Sequence, residues 1–221
     1  MQRKIVFSIG EYYHLYNRGV DKRLVFLSEK DRQRFLKLLY LANNTESYKF
    51  DRISKLKLNE ILRGQQIVSI GAYVLMPNHF HILVKEVADG GISSFMEKLT
   101  TGYTMYFNKK EDRSGALFQG TFKAEHVSRD EHLKYLFAYI HLNPVKLIDA
   151  MWKERGIRNL QKAKHYLSGY KYSSYLDYLG VERESNIILS RTEFPEYFQK
   201  SNDFEDFIGD WLTYTKPLVG V

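Results

Sequence analysis

Apolar residues change their spacing several times along the chain, and each change predicts an element. Tyr12 to Asn17, "YYHLYN", is dense in aromatics and stops at Arg18-Gly19, so it reads as a strand running into a turn. Ser28 then offers a cap, and "EKDRQRFLKLLYLANN" places Phe35, Leu38, Leu39 and Ala42 at helical intervals. Residues 46–64 are basic and weakly periodic, which predicts a loop with a short helix. "IVSIGAYVLM" and "HFHILVKE" both have strand character, and Pro77-Asn78 between them marks a tight turn, so an antiparallel hairpin is expected. From Ile92 to Lys110 the residues Phe95, Leu99, Met105 and Tyr106 recur as a helical stripe that "EDRSG" ends. "ALFQGTFKAEHV" returns to strand, with Gly120 as a candidate bulge, and "SRDEHLKYLFAYIHLN" predicts a helix capped by Ser128 and stopped or kinked at Asn143-Pro144.

Strands and helices interleave while a hairpin joins the middle strands. The expected fold class is therefore α+β, a ferredoxin-like antiparallel sheet with helices packed on one face, plus a mostly helical C-terminal extension. We expect a domain over residues 1–150 and an extension over 151–221 that covers a sheet edge or contacts DNA.

Composition narrows the chemistry. The 221 residues contain no cysteine, which excludes disulfides, thiolate metal sites and a cysteine nucleophile. Thirty-three basic against 26 acidic residues give a net charge of +7, which favours a polyanionic partner. The N-terminal apolar run is too short for a secretory signal and no stretch is long enough to span a membrane, so a cytoplasmic, nucleoid-associated location is expected.

The hairpin carries the most specific signal. Strand alternation sends His79 and His81 to one face and Phe80 to the other, so the two imidazoles can converge on a single point. Two readings stand: a metal site, or polar residues satisfied by local hydrogen bonds. A metal would need a further ligand, and without cysteine this must be a carboxylate, an amide or another histidine. In "YLFAYIHLNPVK", Tyr139 and Asn143 are four apart and share a helical face, while His141 projects elsewhere. Asn143 could complete a nitrogen and oxygen set suited to Mg²⁺ or Mn²⁺, with the Tyr139 phenol nearby; equally, Asn-Pro is a common helix stop and Tyr139 could be plain core.

"YHLYNRG", "AYVLMPNHFHILV", "LFQGTFK" and "YIHLNPVK" follow one another in an order that resembles the single-tyrosine transposases of the His-hydrophobic-His nuclease superfamily, and within them the REP-associated tyrosine transposases. The resemblance spans about residues 12 to 150 in domain terms, and "YKYSSYLDYLG" resembles the family's aromatic-serine-serine-tyrosine segment. It implies a metal-dependent enzyme, a DNA-nicking and strand-transferring transposase acting on single-stranded or hairpin DNA. Position by position it makes His79, His81 and Asn143 the ligands of Mg²⁺ or Mn²⁺ and Tyr139 the nucleophile. Relatives of this type include dimers, so a homodimer is a candidate assembly.

Tyr103 and Tyr106 on the second helix, and Tyr170, Tyr172 and Tyr175 near the end, compete with Tyr139, but none has an amide four residues on within the family's motif. Tyr103 and Tyr106 are expected to pack or to stack on bases. Candidate phosphate contacts are Arg18, Lys22, Arg23, Lys109, Lys110, Arg113, Lys123 and Lys146, any of which could instead be simply solvated. His14 is expected to line the sheet, either near the metal or as a structural histidine. Two other functions remain in view: a regulator that binds single strands without reaction, and a water-using hydrolase. Against the latter, no carboxylate is recognisable beside the histidine pair as its base.

Overall fold

The computed structural model describes residues 5–46, 48 and 50–213; parts of the predicted 46–64 segment, the first four residues and the last eight lie outside the described residues. Four strands, β1 (Tyr12–Arg18), β2 (Val68–Met76), β3 (His79–Glu86) and β4 (Lys123–Val127), form one antiparallel sheet in the order β2-β3-β1-β4. Among the described residues eight α-helices accompany it: α1 (Glu29–Ala42), α2 (Phe50–Ile53), α3 (Gly91–Lys110), α4 (Asp130–Leu142), α5 (Trp152–Arg155), α6 (Leu160–Gly169), α7 (Tyr175–Tyr178) and α8 (Ser201–Thr213). The expected fold class holds, and Met76 pairs with His79 across the Pro77-Asn78 turn as the hairpin reading requires.

Helices cover both faces of the sheet rather than one. Tyr13, Leu15, Phe80, Ile82 and Val84 pack beneath α1 and α3, whereas Ala72, Val74, Met76, Leu83 and Val127 pack beneath α4 and the C-terminal extension. Alternation explains the division on β1, β3 and β4. On β2 the register slips between Ile70 and Ala72, so Val68 and Ile70 serve the α1/α3 face and the phase then reverses. This bulge sits at Gly71, where a Cβ would lie 2.6 Å from the Phe194 ring. The bulge expected at Gly120 is absent; Gly120 has φ +65° in the bend before β4, a conformation suited to glycine.

Ser28 caps α1 as expected: its hydroxyl accepts from the Asp31 N–H, and Asp31 reaches back to the Ser28 N–H. Ser128 does not cap α4; the capping position is Arg129, whose side chain makes no capping bond. On α3 the buried stripe is Ile92, Phe95, Met96, Leu99, Tyr103 and Phe107, and Met105 instead faces solvent. A 100° step per residue accounts for the swap, since Met105 falls off the Leu99–Tyr103 line.

Candidate nuclease site

β3 begins at the hairpin turn, which fixes where its histidines stand. His79, beside Arg18 of β1, and His81, beside Tyr16, both point to the face covered by α4. β1 contributes His14 and Tyr16 to that face, and β4 contributes Glu125 opposite His14. α4 crosses above with Tyr139, and its backbone passes directly into a tight turn, Asn143–Leu147, in which Pro144 occupies the first turn where no N–H is required. Asn143 is thereby buried one helical turn from Tyr139, and its amide donates weakly to the Tyr139 carbonyl at 3.4 Å.

The spacing that suggested convergence is realised. The Tyr139 ring meets His81 edge-on at 5.2 Å between centroids and His14 at 5.9 Å, while His79 and His81 lie 5.1 Å apart. Asn143 hydrogen-bonds toward both His79 and Tyr139. Asn78 Nδ2 donates to the Lys22 carbonyl, so its Oδ1, 2.7 Å from His79 Nδ1, is an acceptor that places the proton on Nδ1 and leaves Nε2 as a lone-pair donor. His81 Nδ1 lies 2.8 Å from His14 Nε2.

Electrostatics set the protonation states. Burial, reinforced by Arg18 and Lys146, pulls His79 down to about 4, so it is neutral near pH 7. Burial and then His14 and His79 hold His81 well below its ordinary value. Neutral imidazoles are the form that binds metals. Burial raises the Tyr139 phenol above 10, opposed by the Asn143 bond and assisted by Glu125, so the phenolate needs added positive charge. Lys153, on α5, lies 3.8 Å from the Tyr139 ring centroid, and burial followed by Lys146 brings its ammonium down to about 7.

Among the described residues no group of three or more His, Asp or Glu could hold a metal ion. The nitrogen and oxygen donors that stand together here are the His79 and His81 imidazoles and the Asn143 amide.

Two contributors escaped the sequence reading. Glu125 reaches the cluster through His14 rather than through the His79/His81 pair: its Oε2 is 3.5 Å from His14 Nδ1, and its Oε1 accepts from the Tyr16 hydroxyl at 2.7 Å. Alternation from Lys123 put Glu125 on a defined face, but only the strand order placed that face beside His14. Lys153 lies beyond the motifs in an irregular segment that offers no periodicity to read.

The proposed phosphate contacts divide. Arg18 and Lys146 are exposed beside His79, Lys123 lies 5.9 Å from the Tyr16 ring centroid, and Lys22 and Arg23 are exposed in the turn whose Lys22 carbonyl accepts from Asn78. Lys109 and Lys110 end α3 on the opposite face, where Lys110 pairs with Asp31 and Glu111, and Arg113 is tied to Asn108 and Ala116. These three are not brought to the histidine cluster. The rival tyrosines are engaged as packing residues: Tyr103 donates to the Val25 carbonyl, Tyr106 to Asp31, and Tyr170 to the Leu75 carbonyl. Tyr172 holds its ring 4.7 Å from the Arg32 guanidinium, and Tyr175 packs at a tilt against His141 and Phe204 with 3% exposure. His141 is fully buried between the Phe137 carbonyl and Ser174 Oγ, where burial lowers it to about 3.

The family profile described as "Transposase IS200 like" matches residues 12–143, which span β1 to Asn143. The chain belongs to the IS200-like transposases. Of solved structures, a REP-associated tyrosine transposase bound to a REP hairpin is similar to this transposase with a TM-score of 0.50 and 14% identity, covering 84% of this chain and 90% of that one. At that identity the likeness concerns the fold. A comparison with curated proteins gives no match. No described helix of this transposase is long and apolar enough to cross a membrane.

Proposed function

We propose that this transposase nicks and rejoins single-stranded DNA, at hairpin sequences, through a covalent bond to Tyr139. The observation that carries the reading is the meeting of the Tyr139 ring with the His81 and His14 rings while Asn143 bonds toward both Tyr139 and His79. His79, His81 and Asn143 would hold a divalent ion of the Mg²⁺ or Mn²⁺ type, which when bound supplies positive charge to the scissile phosphate. Tyr139 oxygen forms a bond to phosphorus, the bond from phosphorus to the 3′ oxygen breaks, and the products are a 5′-phosphotyrosine and a 3′ hydroxyl. Lys153, whose amine lies over the Tyr139 ring, would in its neutral form take up the phenol proton and pass it to the leaving 3′ oxygen, so that the amine ends uncharged as it began. A later 3′ hydroxyl reverses the step and returns the proton to the phenol, so resealing consumes no nucleotide cofactor.

The test is incubation with labelled hairpin DNA and Mn²⁺, followed by a denaturing gel. A protein-linked band that Tyr139→Phe abolishes is the expected result. Binding with no linked band in the wild type would identify a binder without reaction, and cuts that persist in Tyr139→Phe would identify a water-using hydrolase.

A further inference from the structure

Beneath Tyr139, three adjacent strands hold Glu125, His14 and His81 in a row. Glu125 Oε2 lies 3.5 Å from His14 Nδ1, and His14 Nε2 lies 2.8 Å from His81 Nδ1. His14 Nδ1 is buried with no closed hydrogen bond of its own, so the carboxylate is the acceptor toward which a proton there would turn. The two histidines share one proton between their facing nitrogens, so each order of protons along the row excludes the other. With the proton on His14 Nδ1, the His14 Nε2 lone pair accepts from His81 Nδ1–H, and His81 Nε2 is left as a free donor atom. The reverse order would aim a His14 lone pair at a carboxylate oxygen and would place a proton on His81 Nε2. Lone pairs facing at 3.5 Å in a buried setting are unfavourable, whereas N–H facing a carboxylate is favourable, so the first order prevails. Tyr16, by donating to the other oxygen, keeps Glu125 an acceptor.

We infer that Glu125 and His14 are positioning residues that hold His81 in its Nδ1–H form with Nε2 presented to a divalent cation. The inference rests on the proposed reading of the site and adds a carboxylate–histidine–histidine relay behind one ligand. Such outer partners orient a ligating imidazole and strengthen it as a donor, and their loss commonly weakens metal binding about tenfold or more. In Glu125→Gln the amide can donate to His14 Nδ1, which reverses the proton order and puts the proton on His81 Nε2.

Two measurements on the full chain without DNA test this. Nitrogen-15 NMR of histidine-labelled, metal-free wild type should show His81 and His14 both protonated at Nδ1. Calorimetric titration with Mn²⁺ alone should show at least about a tenfold loss of affinity in Glu125→Gln, with no change in Glu193→Gln, which removes the same charge from a pair with Lys85. A His81 proton on Nε2, or equal affinity of Glu125→Gln and wild type, overturns the relay; should Glu125→Gln fail to fold, the wild-type spectrum decides. Absence of Mn²⁺ binding by the wild type overturns both relay and metal site. Normal binding with a weakened Glu125→Gln, but no DNA-linked band, overturns the Tyr139 reading and leaves the relay standing.

Discussion

Lys153 alters what the phenol requires. Burial that lowers its ammonium to about 7 works in the opposite sense on Tyr139, raising the phenol, so at neutral pH about half of the amine is uncharged beside an uncharged phenol. Forming one charge at either residue makes the opposite charge on the other cheaper. Replacing Lys153 by Met keeps much of the apolar stem against the ring and removes the acceptor. The expected outcome is a fall of roughly 10² in the rate of adduct formation, within the usual range for a positioned acid or base, with DNA affinity little changed. Single-turnover rates across pH 6 to 9 check this: the wild-type limb assigned to Lys153 rises as pH passes about 7, and Lys153→Met lacks it. That His79 shares a face with His81, and Tyr139 with Asn143, was legible in the sequence because strand and helix periods fix faces independently of the rest of the chain; that the two faces form one site was suggested by the family resemblance. Glu125 and Lys153 were not legible, since their closeness depends on strand order and on an irregular segment.

At the scale of elements, Asp31 ties α1 to α3. Its carboxylate accepts from the Leu27 and Ser28 N–H groups at the start of α1, and from Tyr106 and Lys110 of α3. Burial pushes its pKa up, but the bonds from Lys110, Tyr106 and Ser28 outweigh this and leave it below the ordinary carboxylate value. A carboxyl lowered on folding contributes stability that is complete above the unfolded value near 3.9 and is lost as pH falls through the folded value. Chemical denaturation at pH 7 should show Asp31→Ala destabilised by about 3 kcal/mol, because the Leu27, Ser28 and Tyr106 donors lose their buried acceptor and Lys110 keeps only Glu111. In acid denaturation the gap between variant and wild type should shrink below pH 4. The cap itself was readable from Ser28 and its helical neighbours. The slip on β2 was not: "VSIGAYVLM" is apolar at nearly every position, so no alternation was present to reveal a change of phase, and the glycine gained meaning only once Phe194 was seen against it.

Across the whole molecule, the C-terminal extension is a second wall of the core. The Phe137 ring on α4 meets those of Tyr178, Phe194, Tyr197 and Phe198, and β2 donates from the Leu75 N–H to the Tyr172 carbonyl and from the Tyr73 N–H to Ser174 Oγ. A chain cut after residue 150 would uncover Leu136, Phe137 and Ile140 and should be insoluble or should bind a hydrophobic dye strongly, whereas the full chain should not. Periodicity favoured helices over a single face because it shows that α4 has an apolar stripe without showing which side of the sheet the stripe meets. The separation of cations has its own consequence for DNA. If Lys146 contacts a phosphate, Lys146→Gln should lower the slope of log affinity against log salt by about 0.7 for a single strand, while Lys110→Gln on the far face should leave it unchanged.

The grip of four aromatic rings on Phe137 has one more implication. α4 is anchored to its own chain just before Tyr139, and in this arrangement the Tyr139 ring meets imidazoles of the same polypeptide without any exchange of the helix. Mixing a Tyr139→Phe chain with a His81→Ala chain should therefore yield no linked DNA, however long the two are incubated together. Complementation between them would mean that the helix crosses to a neighbour in the working assembly.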